Sequence, residues 1–500
     1  MTGHVPVIRA VADGAAMEAR REFLTRTAGF AAAFVLAPRA APLFAQPAGG
    51  VFTPEMFGAK GDGVANDSAA LKALADAVNA NGGGTVRFRR TTYLVGAQQR
   101  SIGRGGWAYT PADLLDFRGC SKPLIIEGNG AAIRCAPGLR YGTFDRLRGT
   151  PTKHNQPYYE QHELATPYRQ IILIADCTGP VVVSDLELDG NLPNLRIGGP
   201  FGDTGWQIPA FGLSLTNNRG SERISNVYTH HHGLDGLYID GLDRWVSPRP
   251  ERLISNVRSE YNGRQGCSIV GGRGYAFRGC RFDHTGRSAV TSAPAAGVDI
   301  EAEGGKQIRD LSFTDCRFAD NAGCGMVADV GDSEGATFTG CTFIGTTSWS
   351  AWPAKPRFRF HGCTFVGSAV NAYPHKDPEL AAQFHECRFR DDPRLSPTGK
   401  VALNGKKEHP IVDLGTSDNV LFSRCSFVLT HGGLLPWSWR ATYSNCTMQQ
   451  RSPSVAFPKG KYLGYNRIDG RVDLYNSKVL GTVVVNGTPT PKGLLGGEAW

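Results

Sequence analysis

The 500-residue chain is poor in methionine, with 5 in all, and poor in long apolar runs. It has no Cys-x-x-Cys pair among its 12 Cys and no dense block of Lys or Arg. Each lack excludes something. Short apolar runs leave no stable membrane span in the mature chain. Without paired Cys spacing there is no zinc-ribbon framework. Without a basic block or a nucleic-acid motif, nucleic acid is not an expected partner. Gly61, Gly63 and Gly82-Gly83-Gly84 are not followed by the Lys-Ser/Thr of a phosphate loop and read as turns. What the chain does have is 63 Gly and 25 Phe, a balance that suits one elongated solenoid better than several ordinary domains.

At the N-terminus, Arg20-Arg21-Glu22-Phe23-Leu24 precedes the apolar stretch Thr27 to Ala37 and resembles a bacterial twin-arginine export signal. Leu43-Phe44-Ala45 is the expected exit, so residues 1–45 are read as a signal peptide and the mature chain as periplasmic or secreted. Met17 is an alternative start. The formal charge is +9; residues 1–45 hold five Arg and three acids, leaving 49 bases against 42 acids, or +7. A basic surface suits an acidic polymer, beside the plainer reading that the excess serves solubility.

From residue 277 onward one pattern recurs: an aromatic, two spacers, Cys, one spacer and an apolar residue. Phe277/Cys280/Phe282 is followed by Phe313/Cys316/Phe318, Phe338/Cys341/Phe343, Phe360/Cys363/Phe365, Phe384/Cys387/Phe389, Phe422/Cys425/Phe427 and Tyr443/Cys446/Met448. Aliphatics hold the same places upstream, in Val183/Leu186/Leu188, Ile224/Val227/Thr229 and Ile254/Val257/Ser259. Short strands returning about every 22 residues, with longer returns at inserted loops, are what a β-helix coil demands. Each coil buries its inward residues by stacking on the next, so the Cys are expected as free thiols in a core ladder. The organisation read is a cap over 46–95, coils with inserted loops over 96–450 and a closing segment over 451–500.

Residues 57–95 carry Phe57-Gly58-Ala59-Lys60-Gly61-Asp62-Gly63, Asn66-Asp67-Ser68, Gly82-Gly83-Gly84-Thr85-Val86 and Tyr93-Leu94-Val95. This set resembles the N-terminal signature of the pectate-lyase-like (pectin lyase-fold) superfamily, which implies an all-β, right-handed parallel β-helix with an N-terminal capping helix. Leu71, Leu74, Ala75 and Val78 share one face of that helix, Asp67 or Ser68 is placed to cap it, and Asn81-Gly82 ends it. The superfamily holds lyases, hydrolases, epimerases and non-catalytic binders, so the resemblance implies fold and leaves activity open. The chain lacks the Asn-Thr-Asp, Asp-Asp and Gly-His-Gly set of polygalacturonases and the Asp-Pro-His of alginate epimerases.

Candidate chemistry comes from aligning five strands on a starting Gly: Gly212, Gly236, Gly266, Gly297 and Gly325. Alternation sends the third and fifth residue of each outward. One outward column then holds Ser214, Tyr238, Ser268, Asp299 and Val327; the other holds Thr216, Asp240, Val270, Glu301 and Asp329. Asp299, Glu301 and Asp329 are expected as a carboxylate cluster able to divide into acid and base, with Asp240 in support. Arg264, Gln265, His231, Asp235, Tyr238 and Trp206 are expected at the substrate. His230-His231-His232 reads as a polar turn, since three consecutive residues of an extended strand do not converge on one ion. No metal ligands and no cofactor are assigned, with Ca²⁺ compatible with the hard oxygens of the cluster.

Loops at 96–116, 139–168 and 192–211 are rich in aromatics and are expected to wall a groove or to pack over the helix flank. The leading expectation is an exported glycoside hydrolase that cleaves a polysaccharide with clustered carboxylates. A uronate lyase or epimerase and a non-catalytic polysaccharide binder stand as alternatives, with substrate, linkage and oligomeric state left open.

Overall fold

A computed structural model describes residues 50–100, 109–145, 147–152, 164–199, 207–404, 409–415 and 417–496. The export segment, Trp107, Tyr158, Tyr159, Phe201 and Trp206 lie outside them. Almost every strand pairs in parallel with the strand one coil away, and the exceptions are confined to the inserted loops and the last two strands. The result is a parallel β-helix with three faces. The first face carries Phe211–Thr216, Asp235–Asp240, Gln265–Arg273, Ala296–Ile300 and Met326–Ala328. The second and third faces are the two halves of strands such as Glu222–His230, bent at one left-handed residue: Asp185, Asn226, Asn256, Gly279 and Asp315 in successive coils.

The recurring aromatic pattern becomes two stacked ladders. Phe277, Phe313, Phe338, Phe360, Phe384, Phe422, Tyr443 and Tyr462 stack with centroids 4.5–5.3 Å apart. Phe282, Phe318, Phe343, Phe365, Phe389 and Phe427 form the second, in register with each other from coil to coil. Edge-to-face contacts join the ladders, as between Phe338 and Phe343 at 5.6 Å. All twelve Cys are buried and free, and the ladder thiols donate to backbone carbonyls of the neighbouring coil, as Cys341 Sγ does to Phe313 O.

The aligned glycines have a steric cause. A Cβ at Gly266 would stand 2.5 Å from the Gly297 carbonyl, and one at Gly297 2.5 Å from that of Gly325. Backbone of the next coil occupies the space a side chain would need.

Helix α1 (Ser68–Asn81) lies over the N-terminal end with Ala70, Leu71, Leu74, Ala75 and Val78 buried, and Gly82 closes it in the left-handed region. Its start differs from expectation, because neither Asp67 nor Ser68 caps it. The Asp67 carboxylate instead accepts from the Lys60 and Gly61 amides, and Ser68 Oγ accepts from Gly96 N. The C-terminal end is closed by antiparallel pairing of Gly493–Leu495 with Ser477–Val479.

All three aromatic loops leave the third face and return to the first. Together they form a separate five-stranded sheet from Gln98–Arg100, Tyr109–Pro111, Arg140–Thr143, Leu164–Ala165 and Arg196–Ile197. Their described aromatics pack inward. Tyr109 and Phe144 share a small core with Ala165, while Tyr141 and Tyr168 are fully buried. No helix among the described residues is long and apolar enough to cross a membrane.

Candidate functional site

The first outward column forms as expected. Ser214 is in register with Tyr238, Tyr238 with Ser268, Ser268 with Asp299, and Asp299 with Val327. The structure extends it by one residue, because Val327 is in register with Trp352. Sequence reasoning gave Trp352 no column, since the loop 345–350 hides the phase of its strand. Asp299 therefore sits two coils from Tyr238 on one side and two coils from Trp352 on the other, about 10 Å each way at the usual strand spacing.

The second column is broken. A bulge between Ile239 and Asp240 pairs Asp240 with Gly271 instead of Val270. Asp240 is ion-paired with Lys306, whose Nζ also donates to Asn217 Oδ1 at 2.8 Å. It acts as an anchor for the turn that carries Lys306. Glu301 lies just past the strand end, its amide donating to Ile269 O. Asp329 is one coil further on, and with Glu301 and Asp332 it partly offsets the burial that lowers the Lys355 ammonium pKa.

At the head of these strands a buried polar network has assembled. Arg264 donates to both oxygens of Asp235, from Nε at 2.9 Å and Nη2 at 2.5 Å, and Ser268 Oγ donates to Asp235 Oδ2 at 2.8 Å. Burial works against the guanidinium charge, but Asp235, with Glu303 and Asp299 behind it, outweighs that cost and raises its pKa. Gln265 accepts from Ala296 N and donates to Asp299 Oδ2 at 2.8 Å, which fixes the carboxylate on the face. Arg264, Gln265, Ser268, Asp299, Glu301 and Glu303 border one recess of about 10 Å³, room for about one water. Glu303 was not anticipated. The alternation Asp299, Glu301, Glu303 was its signal in the sequence.

His231 lines a different cleft. Its φ of +54° turns the chain left-handed at the corner between third and first faces, and Tyr261, His284 and Asp320 repeat this conformation in the next three coils. The rings of His231, Tyr261 and His284 stack at 5.1 and 4.7 Å, and His284 Nδ1 meets Asp320 at 3.0 Å. His232 points inward: Nε2 donates to Leu188 O, so Nδ1 accepts from Tyr168 OH, tying the second loop to the corner.

Beside this stack the third-face strands carry Arg134, Asp189, His230, Glu260 and Asp283 at or next to their ends, all in register. Arg134 Nε donates to Asp189 Oδ2 at 2.7 Å, and His230 Nε2 faces Glu187 Oε1 at 3.4 Å. The contact with His230 holds the Glu187 carboxyl below its usual range, whereas burial lifts Asp283 to about 6. Burial, then the neighbouring His230, lowers the His231 pKa. A cleft of about 770 Å³ opens here between Arg134, Asp189, His230, His231 and the cap residues Gly63 and Val64. The residues after inward Leu188, Thr229, Ser259 and Phe282 were a readable column, but without the corner geometry nothing marked them as a site.

Fold and outer-face architecture together define a right-handed parallel β-helix protein. The family model for the right-handed β-helix region matches residues 207–374. A capsule KN3-specific depolymerase of Klebsiella phage KN3-1 is 25% identical over 340 residues, covering 60% of this chain and 37% of the relative, so the match spans little more than a third of that protein. Among solved structures, the A-module of the Azotobacter vinelandii mannuronan C-5 epimerase AlgE4 is 15% identical, covering 90% of this chain and all of its own, with a TM-score of 0.40. The tailspike gp49 of Acinetobacter baumannii bacteriophage Fri1, a capsular polysaccharide depolymerase, is 13% identical over 80% of this chain and 60% of its own, with a TM-score of 0.39.

Proposed function

We propose that this chain is an exported enzyme that hydrolyses a polysaccharide laid along the first face, with Asp299 and Glu301 as the acid/base carboxylates and Glu303 beside them. The observation that carries the reading is the column Tyr238, Ser268, Asp299, Val327, Trp352. It sets a fixed carboxylate between two half-buried aromatic side chains, on an axis along which a linear polymer extends. Aromatic faces suit the apolar faces of sugar rings. The recess at Asp299 has room for about one water, the nucleophile that an inverting hydrolase must place against its base.

The pairing of Arg264 with Asp235 supports a hydrolase over a lyase. In a lyase a cation neutralises the uronate carboxylate, but two of the three nitrogens of this guanidinium, Nε and Nη2, already donate to Asp235. The depolymerase activity named for the phage relative adds support for a polysaccharide substrate.

The test is incubation of the purified chain, and of Asp299→Asn and Glu301→Gln, with a panel of neutral and acidic bacterial polysaccharides. New reducing ends without ultraviolet-absorbing unsaturated ends are expected, reduced about 100-fold or more in either variant. Unsaturated ends would replace the hydrolase with a lyase. Binding without turnover would replace the enzyme with a binding protein.

A further inference from the structure

We infer that Asp189, His230 and His231 form a binding site for a divalent first-row transition ion of the Zn²⁺ class at the corner between third and first faces. The three residues place one ligand atom each within 4.8 Å of one another. His230 Nδ1 lies 2.7 Å from His231 Nδ1 and 3.7 Å from Asp189 Oδ1. Bonds of about 2.0–2.1 Å in a tetrahedral site set ligand atoms about 3.3 Å apart, so the aspartate is near its place and the two imidazoles must open by about 0.6 Å. Two imidazoles and one carboxylate select zinc-like ions over Ca²⁺ or Mg²⁺, which prefer all-oxygen shells.

Of the three consecutive histidines, two converge. The left-handed conformation of His231 ends the strand, turning its ring back beside that of His230 while His232 enters the core. Both rings are held in place, His230 stacked on Tyr228 at 4.0 Å and His231 on Tyr261 at 5.1 Å. The outer partners of a metal site are also present. Glu187 faces the far nitrogen of His230 at 3.4 Å, Arg134 holds Asp189 Oδ2, and the Asn191 amide donates to Asp189 Oδ1 at 2.7 Å.

Without an ion, one Nδ1 must donate to the other. On binding, that proton moves to Nε2 of its own ring; in His230, Glu187 accepts from that nitrogen. Both rings then ligate as neutral imidazoles, and no proton is lost to solvent. The adjoining cleft leaves the fourth position to water or to a ligand oxygen.

The experiment uses the full mature chain without a histidine tag, stripped with chelator and titrated calorimetrically with Zn²⁺ alone, then with Co²⁺ while recording its visible spectrum. The expected result is one equivalent bound with a Kd of about 1 μM or tighter and tetrahedral Co²⁺ bands. Affinity should fall at least about 100-fold in His231→Gln and Asp189→Asn, and about 10-fold in Glu187→Gln, which leaves the three ligands intact. Circular dichroism checks that each variant is folded. No saturable binding below about 100 μM, or binding that survives both His231→Gln and Asp189→Asn, would overturn the site.

Discussion

Arg264 and Asp235 form a two-pronged ion pair whose side chains are 8% and 0% exposed. Truncating one partner strands the other as a buried charge, which costs about 3–5 kcal/mol. Arg264→Ala is therefore expected to lower unfolding free energy by about that amount. Arg264→Ala combined with Asp235→Ala should recover part of the loss. Urea unfolding of both variants reads this out, and a double variant no more stable than the single would show that the pair is not the cause.

Asp240 and Asp299 should part company in kinetics. Asp240 is committed to Lys306 beyond a bulge, whereas Asp299 is oriented by Gln265 at the recess. Asp240→Asn is expected to keep turnover within about 3-fold while Asp299→Asn loses about 100-fold or more. Equal losses would return Asp240 to the reacting centre.

Asp283 predicts a pH dependence of stability. Burial lifts its carboxyl to about 6, despite Arg317 Nη1 at 2.9 Å and the Ala319 amide at 2.7 Å. An acid that holds its proton better when folded contributes stability that is full below its unfolded value, about 3.9, and lost as pH rises through the folded one. About two pH units correspond to about 3 kcal/mol. Asp283→Asn carries no such titration, so relative to wild type it should gain about 2 kcal/mol between pH 4 and pH 7. Urea unfolding across that range checks it, and a gap that does not move refutes it.

The cysteine ladder predicts silence toward thiol reagents. All 12 Cys of the chain are buried and unpaired with one another. None should react in the native protein on the timescale on which all react in denaturant. Labelling followed by intact-mass measurement decides it, and fast native labelling of any ladder Cys would show that its coil opens.

The ladders were legible because a parallel coil repeats one inward environment at a nearly fixed interval. Phe277 to Tyr443 and Cys280 to Cys446 could be aligned without a structure, and the starting glycines set the phase of the first face well enough to place Asp299 over Ser268. Phase was lost where one residue was added or a loop intervened. The bulge after Ile239 moved Asp240 from Val270 to Gly271, and the 345–350 loop concealed that Trp352 continues the Asp299 column.

The sequence by itself determined a solenoid with stacked aromatic and thiol ladders, a helical cap and outward acids on one face, because these follow from alternation and repeat length. Tertiary structure alone decided which outward groups meet. The left-handed corner at His231 brings Asp189 and His230 together with it, and the buried Arg264 grips Asp235 and leaves Asp299 at the recess. A turn's dihedral sign and a neighbouring coil's register are set by packing between coils, which no local pattern encodes.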